Sequence, residues 1–199
     1  MLLLARTRWL ARGRDLFFIV GILALGYVGL TLVEARLYQV SAKRSLENKI
    51  QVQQSLTVIR SVPAVKPAIK EGDVLGRIDI PRLGFSVAIL QGTKSRMLRL
   101  GAGHIEGTPL PGEVGNSGIA GHRDTFFRSL KDIRPNDEIQ LQTANGLSRY
   151  EVDWVKRVAP DDVTVLSAST QSVLTLVTCY PFYFVGPAPQ RFIVRAHKF

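Results

Sequence analysis

The sequence predicts an all-β domain, a closed or nearly closed barrel of mostly antiparallel strands, carried behind a single membrane-spanning helix. Two observations predict it. From residue 74 onward, short runs of β-forming residues alternate with turn residues, at the close spacing that favours a barrel. Before that, residues 16–33 are free of charge for about 18 residues, which as a helix rising 1.5 Å per residue spans about 27 Å of hydrocarbon.

The elements follow in chain order. Arg6, Arg8, Arg12 and Arg14 make residues 1–15 a basic tail. Residues 33–36 offer no small-residue cleavage pattern, so the apolar segment 16–33 reads as a retained anchor. The arginine-dense tail favours a cytoplasmic N-terminus with the domain exported, although Arg36, Lys43, Arg44 and Lys49 nearly balance the charge on the other side. Residues 34–73 read as a spacer, helical or mobile up to about residue 56 and broken by Pro63 and Pro67. Strands are predicted at 74–80, 85–90, 117–122, 138–142, 148–158, 173–178 and 191–197, making about eight with irregular edges. Asn145 and Gly146 suggest a hairpin turn with positive φ at both central positions. Brief helices are predicted at 95–100, 125–130 and 162–166. Residues 74–199 thus form one domain.

With 46% hydrophobic and 21% charged residues, the 199-residue chain is an ordinary globular protein rather than a disordered one. Its net charge of +10 lies mostly before residue 61, around the apolar segment. No basic stripe or Arg-interleaved aromatic run follows, so nucleic acid is not an expected partner. The single cysteine excludes an intramolecular disulfide and a Cys-only metal site.

That cysteine, Cys179, ends a run of β-formers two residues before Pro181, at a strand end where a thiol meets a surface. A lone cysteine is also a common core filler, so its reading as a nucleophile depends on a histidine and a charge stabiliser brought to it by the fold. His197 is third from the C-terminus and reads as a surface residue. His104 sits in the glycine-rich stretch 101–107 and reads as a loop histidine satisfying local backbone groups. His122 ends a strand-like run, and Gly121 before it permits close approach of another group. Arg191 opens the last strand, beyond the Pro- and aromatic-rich loop 180–190, a position from which an arginine can donate hydrogen bonds to an oxyanion; the competing reading is a surface ion pair, for which Arg191 and Arg195 are equally good candidates. Asp124 invites a triad reading, but a turn or salt-bridge role is preferred. A zinc site from His104, His122 and Cys179 fits no common ligand spacing.

Three motifs in this order resemble the sortase family, and within it the class D group. They are Thr175, Leu176, Val177, Thr178 and Cys179 for the family's TLxTC; Ile119, Ala120, Gly121 and His122 for its histidine strand; and Arg191, Phe192, Ile193, Val194 and Arg195 for its arginine strand. The resemblance implies an eight-stranded sortase β-barrel and a cysteine transpeptidase. Cys179 would attack a threonine carbonyl in an LPxT-type sorting signal, His122 would serve as general acid and then base, and Arg191 would hold the oxyanion or the substrate backbone. Ala120, Val177 and Ile193 match groove positions, and Thr178 is expected to help orient the substrate. Class C features are absent and 159–171 leaves little room for a class B helical insertion, while class A stays open. The implied partners are sorting-signal proteins, an amine acceptor such as a cell-wall precursor or another surface protein, and the membrane. No cofactor is expected; some sortases bind calcium, but Asp161 and Asp162 alone are too few oxygens for such a site. The competing readings are a membrane-tethered cysteine endopeptidase using water and a non-enzymatic barrel that binds partners.

Overall fold

The structure, a computed structural model, describes residues 2–57 and 68–199, with side chains over 18–48 and 68–199. The proline-containing break at 61–67 lies outside the described residues. Helix α1 runs Leu2–Thr57. Its stretch Phe18–Asn48 is long and apolar enough to cross a membrane. The apolar side chains between Phe18 and Val33 are exposed, as a lipid-facing helix requires.

Two compact units divide the chain, residues 1–38 and Gln39–Phe199. The second unit begins inside α1, within the 34–73 stretch expected to be a spacer. Gln39, Ala42 and Leu46 share one helix face by their three- and four-residue spacing, and Ala42 and Leu46 are buried. The Gln39 side chain accepts a hydrogen bond from the Ala88 backbone N–H at 2.9 Å and donates to the Leu100 carbonyl. One amide thus satisfies the backbone groups of two residues, and this part of the stretch is docked.

Eight strands follow: β1 Val74–Ile80, β2 Phe85–Gln91, β3 Ala102–His104, β4 Gly115–Gly121, β5 Glu138–Thr143, β6 Gly146–Val158, β7 Ser172–Tyr180 and β8 Gln190–Lys198. They close into a barrel in the order β1-β2-β3-β4-β7-β8-β6-β5. Six of the eight pairings are antiparallel; β2 with β3 and β4 with β7 are parallel. The alternating sequence pattern explains the closure. Ile78, Ile80, Val87, Ile89, Ile119, Leu141, Leu174, Leu176 and Val194 point inward into one core, each side chain contributing about 1.5–3 kcal/mol by leaving water.

The predicted helix at 95–100 is α2, Ser95–Leu100. Those near 125–130 and 162–166 are 3-10 turns at Phe126–Asp132 and Val163–Leu166. Two expectations are corrected. His104 belongs to strand β3 rather than to a loop. In the β5–β6 hairpin, Thr143 pairs with Gly146, so the turn residues are Ala144 and Asn145. Only Gly146 has positive φ, at 113°. This is the bulged form of a hairpin turn, and glycine supplies its left-handed position.

Candidate active site

The site is set by strand register. Along β7, Leu174 and Leu176 enter the core, so Thr175, Val177 and Cys179 take the outer face. Cys179 pairs with Arg191 on β8. On its other side β7 pairs with β4 in parallel, through Gly121 and Thr178. Continuing both strands by one residue sets His122 beside Cys179. His122, Cys179 and Arg191 therefore form one row across three adjacent strands, all three half-buried at the barrel's edge. The parallel pairing is what matters here, because it brings the C-terminal ends of β4 and β7 to the same end of the barrel.

Thr178 faces the opposite way. It is 2% exposed, and its Oγ1 donates to the Gly121 carbonyl at 2.7 Å. It therefore fastens β4 to β7 just before His122 and Cys179. Gly121 is needed for close approach: a Cβ there would lie 2.7 Å from the Phe127 ring, which fills the core beneath it.

The next outer row holds Ala120, Val177 and Ile193, joined by the pairings Ala120 with Val177 and Val177 with Ile193. Ala120 and Val177 are half-buried, and Ile193 is buried. The row beyond holds Gly118, Thr175 and Arg195. There the connection between β6 and β7 lies over β4, with Leu166 against Gly118. Asn116 holds that connection: its Nδ2 donates to the carbonyls of Val165 and Ser167, both at 3.0 Å, and its Oδ1 accepts from Thr175 at 2.6 Å. Asp162 caps the 3-10 turn by accepting from the Thr164 N–H at 3.0 Å. The row of Ala120, Val177 and Ile193 thus lies between an anchored loop and the row of His122, Cys179 and Arg191.

The loop between β7 and β8 is held at several points. Tyr180, Phe182 and Phe192 close the barrel end as an aromatic cluster with ring centroids 5.0–6.1 Å apart. The Arg157 guanidinium lies 4.7 Å from the Tyr180 ring centroid. Arg123, next to His122, donates from Nη2 to the carbonyls of Phe184 at 2.8 Å and Gly186 at 2.9 Å. Arg191 uses Nη1 on the carbonyls of Gln190 at 3.2 Å and Ala188 at 3.4 Å. Arg191 keeps Nε and Nη2 for other acceptors.

The remaining candidates lie elsewhere. His104 is 2% exposed, with Nδ1 2.9 Å from the Gln91 side-chain amide. Its Nε2 donates to the Pro109 carbonyl at 3.0 Å and lies 3.1 Å from the Thr108 hydroxyl. Burial pushes its pKa below the ordinary value, against the opposing pull of the Pro109 and Thr108 bonds and of Glu106 and Glu113. His197 pairs with Asp153 at 2.6 Å, and Asp124 is exposed in the turn after His122. Arg195 pairs with Thr175, four residues from the thiol. Sequence reasoning missed the holding roles of Asn116 and Arg123, whose partners are tens of residues away.

Comparison with known proteins decides what kind of barrel this is. A family model described as the sortase domain matches residues 78–199, more than half the chain. The chain belongs to the sortase family. Sortase D of Bacillus subtilis is 32% identical to this sortase over 165 residues, covering 82% of the chain and 80% of the relative. Among solved structures, a Clostridium perfringens sortase D5 transpeptidase superposes with a TM-score of 0.67 at 27% identity, covering 81% of this sortase and 98% of that chain. C. perfringens sortase C, solved with the C-terminal cell wall sorting motif, superposes with a TM-score of 0.61 at 30% identity, covering 77% and 87%. Sortases are cysteine transpeptidases, and the eight-stranded barrel is their fold.

Proposed function

We propose that this chain is a membrane-anchored class D sortase that cuts an LPxT-type sorting signal and joins the upstream protein to an amine at the cell surface. The observation that carries the reading is the row of His122, Cys179 and Arg191 across three paired strands. The Cys179 sulfur, as thiolate, attacks the threonine carbonyl and forms a C–S bond. Arg191 donates hydrogen bonds to the oxyanion of the tetrahedral intermediate. As that intermediate collapses, the scissile C–N bond breaks and protonated His122 gives its proton to the departing amine. The product is a thioester on Cys179. An incoming amine then loses its proton to His122, attacks the thioester and restores the thiolate.

Ala120, Val177 and Ile193 form the apolar floor under the signal's side chains. Arg191 reaches the oxyanion through Nε and Nη2, since its bonds to loop carbonyls run from Nη1. The partners are sorting-signal proteins and an amine acceptor, a cell-wall precursor or another surface protein. The N-terminus is cytoplasmic and the barrel lies outside, tethered by residues 16–33. No metal is required. The test is an LPxTA-like peptide supplied with and without an amine. Amine-dependent cross-linked product supports the reading; cleavage without cross-linking under any amine would make the chain a cysteine endopeptidase.

A further inference from the structure

The pairing of β4 with β7 ends at Gly121 and Thr178, so His122 stands one residue past the last paired position. Cys179 and Arg191 face each other inside a strand pair that runs on to Tyr180 and Gln190. Of the three, His122 depends most on the turn that follows its strand. Two bonds fix the backbone around it: the Gly121 carbonyl accepts from Thr178 Oγ1 at 2.7 Å, and the His122 carbonyl accepts from the Phe127 N–H at 3.0 Å. A third connection runs from the next side chain. Arg123 Nη2 donates to the Phe184 carbonyl at 2.8 Å and to the Gly186 carbonyl at 2.9 Å, and the guanidinium lies 5.8 Å from the Phe184 ring centroid. The loop it grips leaves β7 just after Cys179 and enters β8 just before Arg191. One guanidinium therefore ties the strand end that carries His122 to the loop that joins the other two strands.

Stability alone does not account for this arrangement. Phe184 and Gly186 are exposed, so water can satisfy their carbonyls without help from a side chain. Arg123 Nη1, by contrast, is buried with no hydrogen-bond partner among the described residues, which is unfavourable for a charged donor. What the clamp supplies is geometry, and a small misplacement of a proton-transfer group slows a reaction steeply. Resting on the sortase reading above, we infer that Arg123 is a positioning residue: it locks the β7–β8 loop to the end of β4 and so sets the spacing of His122 from Cys179 and Arg191. It does not touch the reacting atoms. In that reading His122 serves both the departing and the incoming amine, so the clamp acts on kcat in both halves of the reaction. The row of Ala120, Val177 and Ile193, which binds the signal, is left as it is.

The test replaces Arg123 in the full chain, held in detergent, with an LPxTA-like peptide and an amine as substrates. Arg123→Met keeps an unbranched apolar side chain and removes every donor. Arg123→Lys keeps a cation that can donate to two carbonyls from one nitrogen, as Nη2 does. Arg128→Met is the charge control, because Arg128 lies 5.5 Å from the Tyr183 ring centroid on the same loop and its side chain makes no hydrogen bond among the described residues. Arg123→Met is expected to lose about 10²-fold in kcat, with KM and the unfolding midpoint close to the parent's. Chymotrypsin should cut its loop after Tyr183 or Phe184 several-fold faster. Arg123→Lys should recover most of the turnover and the protection, and Arg128→Met should lose neither. Unchanged turnover in Arg123→Met, whether or not the loop loosens, overturns the inference. So does an equal loss in Arg128→Met, a loss matched by a fall in the unfolding midpoint, or one that lysine does not recover. The parent's thioester is measured in parallel: a parent that forms none refutes the sortase reading, whereas a parent that forms it beside an equally active Arg123→Met refutes the positioning role alone.

Discussion

His104 and His122 stand on neighbouring antiparallel strands and have opposite surroundings. His104, on β3, is buried and bonded through both ring nitrogens to Gln91, Pro109 and Thr108. His122, one residue beyond β4, is half-exposed beside Cys179. Burial and bonding partners, rather than residue type, separate the two. Thr178 and Cys179 repeat the contrast one residue apart: the hydroxyl turns inward to tie two strands, and the thiol turns outward.

The comparison breaks first if the two histidines trade effects. His122→Ala is expected to lower kcat/KM by about 10²–10⁴-fold in a peptide-cleavage assay. Its unfolding midpoint should match the parent's. Arg191→Ala comes next, with a loss of about 10²–10³-fold in kcat. Arg195→Ala, four residues along β8 and beyond the apolar floor, should change the rate far less; a larger loss there would mean the β7–β8 register is displaced. His104→Ala should act on stability instead, costing about 2–4 kcal/mol in urea unfolding, because it leaves a cavity and strands the Pro109 carbonyl.

The same histidine gives a pH signature. Burial lowers its folded pKa below the ordinary value of 6.5, so the unfolded chain takes up that proton more readily than the folded one. Its contribution is complete above about pH 6.5 and is lost as the pH falls toward the lowered folded value. Replacing His104 with Gln should flatten that part of the stability curve, measured by urea unfolding at about pH 8 and about pH 5. The smallest expected effect is that of calcium. Chelation should leave turnover unchanged, since the Asp162 carboxylate already caps the turn at Thr164.

Much of the barrel was legible because half-buried strands write their burial as alternation. The runs at 138–142 and 191–197 have that period, and β5 and β8 lie there. Strand β3 was missed because Gly101 and Gly103 flank Ala102 and read as a loop. The hairpin turn fell one residue early because a lone glycine at positive φ completes a bulge as readily as an Asn-Gly pair completes a tight turn. In the site, the outward row of Cys179 and Arg191 followed from strand ends and an intervening loop. The inward turn of Thr178 did not, since the parity of β7 is fixed only by Leu174 and Leu176 entering the core. The clamps at Asn116 and Arg123 depend on loop carbonyls 49 and 61 residues away, which no local pattern encodes.

The proposed function requires the row of His122, Cys179 and Arg191 to make a thioester. Mass spectrometry of the protein mixed with an LPxTA-like peptide, quenched in acid without an added amine, tests it directly. The expected result is an adduct equal to the acyl portion of the peptide, mapped to Cys179, discharged by an amine and lost in Cys179→Ala. An adduct on another residue, or amine-dependent product formed by Cys179→Ala, would contradict it.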